Sequence, residues 1–132
     1  MSQENVEIVR DLTTRFETGD RESWREVLAD DVIWDFSATT VAEGVYEGLS
    51  GVERFFIEWL GAWENPTLEH LEMMDAGDSV VVVFRWTARG KARGVETEAT
   101  MFGVHDVKDG RVVRFRQFDS REEALEAAGL LE

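Results

Sequence analysis

Residues 78–119 constrain the fold most, because they contain three long runs of strand-forming residues in succession. The first run, residues 79–91, is dense in Val, Phe, Trp and Thr, which fit a pleated sheet. A turn bracketed by glycines leads to the second run, residues 95–107. Lys108-Asp109-Gly110 reads as a three-residue hairpin loop before the third run, residues 111–118. Consecutive strands joined by short turns predict a bent antiparallel meander.

Side-chain chemistry predicts the register, since a slip of one residue would exchange the two faces of the sheet. In the first hairpin, Arg89 opposite Glu96 pairs opposite charges. In the second hairpin, the three-residue loop places His105 opposite Val113. The face that we expect to be concave is mostly apolar and carries Phe84, Trp86, Met101, Gly103, His105, Val113, Phe115, Gln117 and Asp119.

Length and charge bound the class of protein. The 132 residues match one domain, which we expect to span residues 1–132. The 28 acidic and 14 basic residues give a net charge of −14. Nucleic-acid backbones and anionic membranes both require basic patches, so we expect neither as a partner. The chain has no Cys, and we find no apolar leader or spanning segment, so the expected location is cytoplasmic.

Two helices are predicted before the first strand. Apolar residues recur at three- and four-residue spacing over residues 3–18, which indicates one helical face. Gly19 fits the C-terminus of that helix, and Asp20 fits the N-cap of a second, short helix that buries Trp24. The two aspartates at 30–31 are predicted to end this pair of helices.

The next segments alternate between strand, loop and helix. Residues 32–36 alternate as a strand, and residues 37–49, with several Thr, Ser and Gly, read as a loop that could rim a pocket. Ser50 and Glu53 have the spacing of a capping box, so a helix is predicted to begin there. The Asn65-Pro66 pair is predicted to end this helix.

The rest of the chain completes the fold class. Residues 67–74 alternate as a strand, with His70 and Glu72 predicted on the same side. Residues 120–123 form a second capping box, which predicts a final short helix. The order helix, helix, strand, helix, four strands, helix indicates an α+β fold, with helices covering one face of a curved sheet.

Five short segments carry a family resemblance: residues 5–10 (NVEIVR), 44–48 (GVYEG), 51–56 (GVERFF), 75–78 (DAGD) and 109–113 (DGRVV). Together they resemble the SnoaL-like domains of the nuclear transport factor 2 superfamily over nearly the whole chain. The resemblance implies a cone-shaped curved antiparallel sheet, helices packed on its concave face, and a deep apolar pocket. It also implies a homodimer joined through the sheet. Members include ketosteroid isomerases, polyketide cyclases, limonene epoxide hydrolases and noncatalytic binding or scaffold domains.

Two of the catalytic arrangements in this superfamily do not fit the residues. Ketosteroid isomerases use an Asp base, a Tyr and a protonated carboxyl. The matching positions here are Phe36, Phe16, and Phe102 or Gly103, none of which can carry a proton. The limonene epoxide hydrolases use an Asp-Arg-Asp network, and the predicted pocket face carries no Arg.

The cyclases offer a better match. They use an Asp at the end of the last strand as acid and base, with a His on the preceding strand, and Asp119 and His105 stand in matching places. We hypothesise that Asp119 is the acid and base, with its pKa raised by an apolar pocket, and that His105 and Gln117 assist. The structural alternative is that Asp119 caps the last helix and His105 is a hydrogen-bonded core residue.

The expected ligand is a small hydrophobic molecule of steroid, polyketide or terpenoid type, which acid and base chemistry would isomerise or cyclise. The alternative is a noncatalytic ligand-binding or dimeric scaffold domain of the same fold. Candidate ligand contacts are Phe16, Trp34, Phe36, Trp59, Trp86, Met101, Phe115 and Gln117. We expect no metal, because His70 and His105 lie on different strands, and no cofactor, because no phosphate loop is present.

Dimerisation is expected through the outer sheet face. The apolar residues predicted there share the face with charged residues, which favours an isologous contact between two copies. They are Val81, Val83, Phe102, Val104 and Phe118.

Overall fold

The computed structural model describes residues 2–17, 22–40, 42–91 and 94–130. The elements are α1 (Ser2–Glu17), a 3-10 helix (Ser23–Glu26), β1 (Leu28–Asp35), β2 (Val45–Glu47), α2 (Gly48–Gly61), β3 (Trp63–Asp75), β4 (Ser79–Gly90), β5 (Glu96–Lys108), β6 (Arg111–Phe118) and α3 (Arg121–Ala127). The strands form one curled, open sheet in the order β2-β1-β6-β5-β4-β3, and only β1 and β6 pair in parallel. The predicted α+β class is confirmed. None of the helices within the described residues has the length and apolar character needed to cross a membrane.

Helices α1 and α2 pack on the concave face of the sheet and close the main core. The apolar stripe of α1 leaves Val9 and Leu12 almost fully buried, and Val52 of α2 is also inaccessible to solvent. These side chains join the inward-facing Val80 and Val82 of β4 in one cluster. Full burial of each such side chain contributes about 1.5–3 kcal/mol, so this face carries much of the stability.

Helix α3 packs on the opposite, convex face of the sheet. The Ser120 side chain accepts a hydrogen bond from the Glu123 backbone N–H at 3.1 Å, which confirms Ser120 as the predicted N-cap. The Glu123 carboxylate accepts from the Ser120 hydroxyl at 3.2 Å rather than from its backbone N–H, so the capping box is confirmed on the serine side alone. Ala124 then packs over Val81 and Val104, and all three are fully buried. The expectation that the helices cover one face is therefore wrong for α3. It also follows that Val81 and Val104 are covered within the chain and are not a free dimer surface.

The predicted register is confirmed in the first hairpin and wrong in the second. Arg89 pairs with Glu96, as the charges indicate. In the second hairpin His105 pairs with Phe115 rather than with Val113. Because the error is two residues, residues 114–118 keep their predicted faces. At the irregularity, however, Val112 rather than the predicted Val113 turns inward and joins the main core cluster.

A tight turn explains the difference in register. Asp109 and Gly110 alone form the loop, and both have positive φ, 52° and 80°, as a two-residue primed turn requires. The pairing then shifts between Asp106 and Val107, where a bulge adds a residue to one strand. Together the shorter loop and the bulge set a pairing that loop length alone does not predict.

The N-terminal prediction is partly confirmed. Gly19 and Asp20 lie outside the described residues. The second helix is a single 3-10 turn, and Trp24 within it is buried as predicted. The two aspartates at 30–31 do not end a helical pair. They are exposed positions inside β1, where the pairing of β1 with β6 is irregular.

Helix α2 begins before its predicted cap. Residues 45–47 of the predicted loop form β2, and α2 starts at Gly48, whose φ of 75° favours glycine. Ser50 is therefore inside the helix rather than at its N-cap. The side chain of Glu53 forms an ion pair with Arg25 instead of turning back to cap the helix.

The residues that were predicted to end α2 lie instead within strand β3. The Asn65-Pro66 pair lies within this edge strand, where the pairing with β4 shifts between Glu64 and Thr67. Edge strands tolerate proline at such irregularities. A second shift between His70 and Glu72 turns these two side chains to opposite faces, so the prediction that they share a side is wrong.

Candidate functional site

A cavity of about 90 Å³ lies between α1, α2 and the concave face of the sheet. Its lining residues are Leu12, Thr13, Phe16, Trp34, Phe36, Ala42, Phe55, Phe56, Trp59, Leu68, His70, Phe84, Trp86, Met101, His105, Phe115 and Gln117. The structure places His105 and all eight predicted ligand contacts in this wall. The contact of these residues with a ligand stays a prediction.

Strand alternation and one glycine shape the aromatic wall. The ring of Phe115 packs 4.7 Å from Trp34 and 4.8 Å from His105, between ring centroids. It can lie there because the neighbouring strand has Gly103. A Cβ on that residue would sit 2.7 Å from Phe115 Cζ and 3.1 Å from the Arg116 carbonyl oxygen. Gly103 is thus required for the shape of the cavity, not for a turn.

His105 is a neutral imidazole in an aromatic setting. Its side chain is buried on β5, and its ring lies 5.8 Å from that of Trp34. Burial lowers the pKa of His105 to about 3, and the charge of His70 acts in the same direction, while Asp106 opposes it. At pH 7 this ring can hydrogen-bond but carries no charge.

His70 is a second imidazole in the wall. Its ring stacks on Phe84 with centroids 5.4 Å apart, and burial lowers the pKa of His70 to about 4. His70 Nε2 lies 3.4 Å from Thr13 Oγ1 on α1. His70 is not among the site residues that the sequence pattern predicts. The signal that could have found it is its place opposite Phe84, an inward residue of β4.

Three nitrogen atoms of lining residues are buried without a hydrogen-bond partner among the described residues. They are Trp86 Nε1, His70 Nδ1 and His105 Nδ1. A buried polar atom left unpaired costs about 1–3 kcal/mol. On the concave side, the buried polar atoms without a described partner therefore belong to residues that line this cavity.

Asp119 lies outside the cavity wall. Its exposed carboxylate accepts hydrogen bonds from the Thr40 backbone N–H at 2.9 Å and from Thr39 Oγ1 at 2.7 Å. These bonds, that of Thr40 first, lower the pKa of Asp119. The predicted apolar setting and raised pKa are therefore wrong, because the chain leaves the sheet after Phe118. The alternative helix cap is also wrong, since Ser120 holds that position.

Charged side chains are missing from the described wall of the cavity. The lining residues include no Asp, Glu, Lys or Arg, and His70 and His105 are both neutral at pH 7. Across the described part of the chain, no cluster of three His, Asp or Glu side chains is arranged to hold a metal ion. The arrangement offers aromatic surface and neutral hydrogen-bonding groups.

Comparison with known proteins identifies the family. The sequence profile of the SnoaL-like domain matches residues 9–115. The chain belongs to the SnoaL-like domain family. Among proteins of curated function, none matches this SnoaL-like domain.

Solved structures agree with this fold. An NTF2-like protein of unknown function from Burkholderia pseudomallei is 22% identical, with 96% of this chain and 97% of that chain covered and a TM-score of 0.79. TerC co-crystallised with polyporic acid is 19% identical, with 96% and 98% covered and a TM-score of 0.77. A candidate SnoaL-like polyketide cyclase from Jannaschia sp. is 21% identical, with 89% and 86% covered and a TM-score of 0.78. At these identities the likeness establishes the fold of the SnoaL-like domain alone.

Proposed function

We propose that this SnoaL-like domain binds a small, largely apolar molecule in the cavity enclosed by α1, α2 and the sheet. The observation that carries the proposal is the cavity itself, with its aromatic wall and three unpartnered nitrogen atoms. Pockets for small ligands combine apolar walls with a few polar groups in this way. The names of two similar structures support a class of ligand, because one is named as a candidate polyketide cyclase and another was co-crystallised with polyporic acid. Steroid-, polyketide- and terpenoid-like carbonyl compounds are therefore the group to screen.

The volume of the cavity favours small members of that group. It measures about 90 Å³, and an engineered apolar cavity of roughly 150 Å³ admits benzene. A one-ring compound therefore requires side chains of the wall to move outward. A four-ring steroid requires larger movements, for example separation of the Phe16 and Phe56 rings, whose centroids lie 4.8 Å apart.

A ligand-binding role without turnover fits the electrostatics better than proton transfer does. Abstraction of a proton next to a carbonyl requires a base with a pKa near the working pH. The described lining residues include no carboxylate, and the lowered pKa of His105 makes its ring a weak base. Acid and base catalysis by Asp119, with help from His105 and Gln117, stays a prediction that requires the Asp119 carboxylate to leave Thr39 and Thr40.

Asp119→Asn separates these two roles. If Asp119 positions the neighbouring segment, the variant still binds ligand, and the Thr40 amide exchanges faster with solvent because its charged acceptor is gone. The Ser37 amide is the internal control, since it donates to Asp35 instead, at 2.8 Å. Loss of turnover on a bound carbonyl compound, with binding and Thr40 exchange unchanged, would establish the catalytic role instead.

A thermal-shift screen tests the binding role. A ligand at about 100 times its dissociation constant stabilises the fold by about 2.7 kcal/mol. Ala42→Trp fills part of the cavity and should abolish the shift, because Ala42 lines the wall. Ala62→Trp is the matched control, since Ala62 is exposed and is not a lining residue. Equal shifts in both variants would place binding elsewhere and contradict the proposal.

We also propose that the domain forms a homodimer, as the family resemblance implies. The contact must use the part of the outer face that α3 leaves uncovered, where Arg85 pairs with Glu69 and Arg89 pairs with Glu96. Light scattering at high protein concentration tests this. A monomeric mass would remove the proposal without affecting the cavity.

A further inference from the structure

The Trp86 indole sets one requirement on the ligand. Trp86 lies in the cavity wall, and its Nε1 is buried without a described hydrogen-bond partner. An indole nitrogen can only donate a hydrogen bond. A ligand that satisfies Trp86 must therefore offer an acceptor, such as a carbonyl oxygen.

The hydrogen bonds of Thr13 set a second requirement. The Thr13 hydroxyl donates to the Val9 carbonyl oxygen at 2.8 Å, which uses its only proton. Towards His70 Nε2, 3.4 Å away, Thr13 can therefore only accept. This places the proton of the neutral imidazole on Nε2 and leaves Nδ1 as an acceptor. Since Nδ1 has no described partner, a ligand that satisfies it must donate, as a hydroxyl group does.

The charge of the wall sets a third requirement. A carboxylate or an ammonium group entering the cavity would lose its hydration, and the described wall holds no side chain of opposite charge to pair with it. Aromatic rings attract cations. Burial nevertheless keeps both imidazoles of the wall uncharged. For the same reason, burial should disfavour a charged ligand of either sign.

We propose that the cavity selects an uncharged one-ring compound with a carbonyl oxygen that accepts from Trp86 and a hydroxyl group that donates to His70. The inference rests on the proposed function and narrows its ligand to a neutral hydroxyaryl carbonyl compound. It also makes Trp86 and His70 the residues that determine specificity.

Calorimetric titration with five one-ring compounds of similar size tests the inference. The compounds are 4-hydroxyacetophenone, 4-ethylphenol without the carbonyl group, acetophenone without the hydroxyl group, and the charged 4-hydroxybenzoate and 4-hydroxybenzylamine. The first should bind tightest. Loss of either polar group should weaken binding about five-fold, the equivalent of one hydrogen bond. Either charge should weaken binding by more than about ten-fold.

Two variants assign the polar contacts to their residues. Trp86→Phe should remove the preference for 4-hydroxyacetophenone over 4-ethylphenol, and His70→Phe should remove the preference over acetophenone. Trp24→Phe is the matched control, because it removes a buried indole outside the cavity wall whose nitrogen is not among the buried unpartnered atoms. It should leave both preferences in place. If a variant does not fold, ¹⁵N chemical shifts of the wild-type His70 ring decide whether Nδ1 is the unprotonated atom.

The possible failures are distinguishable. A charged compound that binds as tightly as 4-hydroxyacetophenone, equal effects of Trp86→Phe and Trp24→Phe, or a proton on His70 Nδ1 would overturn this inference and leave the proposed function standing. Failure of every compound in this panel and in the wider screen would overturn both.

Discussion

Acidification from pH 7 to pH 5 should destabilise the fold, because His70 and His105 are held neutral in it. Burial lowers their pKa values to about 4 and about 3 from an ordinary 6.5. Below pH 6.5 the unfolded chain binds protons at both residues, while the folded chain does not until the pH approaches 4. The free energy of unfolding is therefore highest above pH 6.5 and falls as the pH drops towards 4 and 3.

The magnitude follows from the shifts. Each pH unit below 6.5 costs about 1.4 kcal/mol for each histidine that stays neutral. At pH 5 this amounts to about 2 kcal/mol for each of the two residues, or about 4 kcal/mol together. Domains of ordinary stability unfold with about 5–15 kcal/mol, so the loss is a large fraction of the total. Most Asp and Glu side chains of the unfolded chain titrate below pH 5. The change in unfolding free energy between pH 7 and pH 5 therefore comes mainly from the histidines.

Urea unfolding at pH 7, 6 and 5 measures the effect. His70→Gln and His105→Gln do not titrate, so each variant should lose about half of the pH dependence, and the double variant nearly all of it. The comparison is made within each protein, across the three pH values, so a general loss of stability in a variant does not disturb it. The same loss between pH 7 and pH 5 in the wild type and in the double variant would refute the reasoning.

The remaining predictions use matched pairs of the same residue type. Ser120→Ala should cost about 1 kcal/mol in urea unfolding because it removes the cap of α3, whereas Ser50→Ala, inside α2, should stay within about 0.5 kcal/mol. Equal losses would contradict the assignment of the cap. Gly103→Ala should cost about 1–3 kcal/mol and weaken ligand binding by pushing the Phe115 ring into the cavity. Gly61→Ala, where an added Cβ meets nothing within 4 Å, should be neutral or stabilising, and the same loss in both glycine variants would argue against the close contact.

Much of the concave face is predictable because alternation in a strand is a local property. The charge pair of Arg89 and Glu96 sets the first hairpin, and from there every second residue of β4 and β5 faces inward. Trp86, Met101 and His105 consequently reach the cavity as predicted. The register error in the second hairpin does not change this result, since it changes the partners on β6 and not the inward positions of β4 and β5.

The missed features depend on bulges or on the choice between two faces. The shift between His70 and Glu72 turns one inward and the other outward, and no local pattern of charge or volume signals it. The amphipathic residues of α3 indicate that the helix packs, but not on which side of the sheet. Asp119 was expected in an apolar pocket because the strand pattern was extended one residue too far. Beyond Phe118 the chain leaves the sheet, and the Asp119 carboxylate accepts hydrogen bonds from Thr39 and Thr40, which are distant in sequence.

The most direct test of the central claim uses the tryptophans as reporters. Trp34, Trp59 and Trp86 line the cavity, whereas Trp24 is buried outside its wall. Intermolecular nuclear Overhauser effects between a bound carbonyl compound and the five ¹⁵N-labelled indoles can be recorded in one sample. Binding in the cavity should give effects to the three lining indoles and none to Trp24. Effects confined to other indoles, or none from a compound that stabilises the fold, would contradict it.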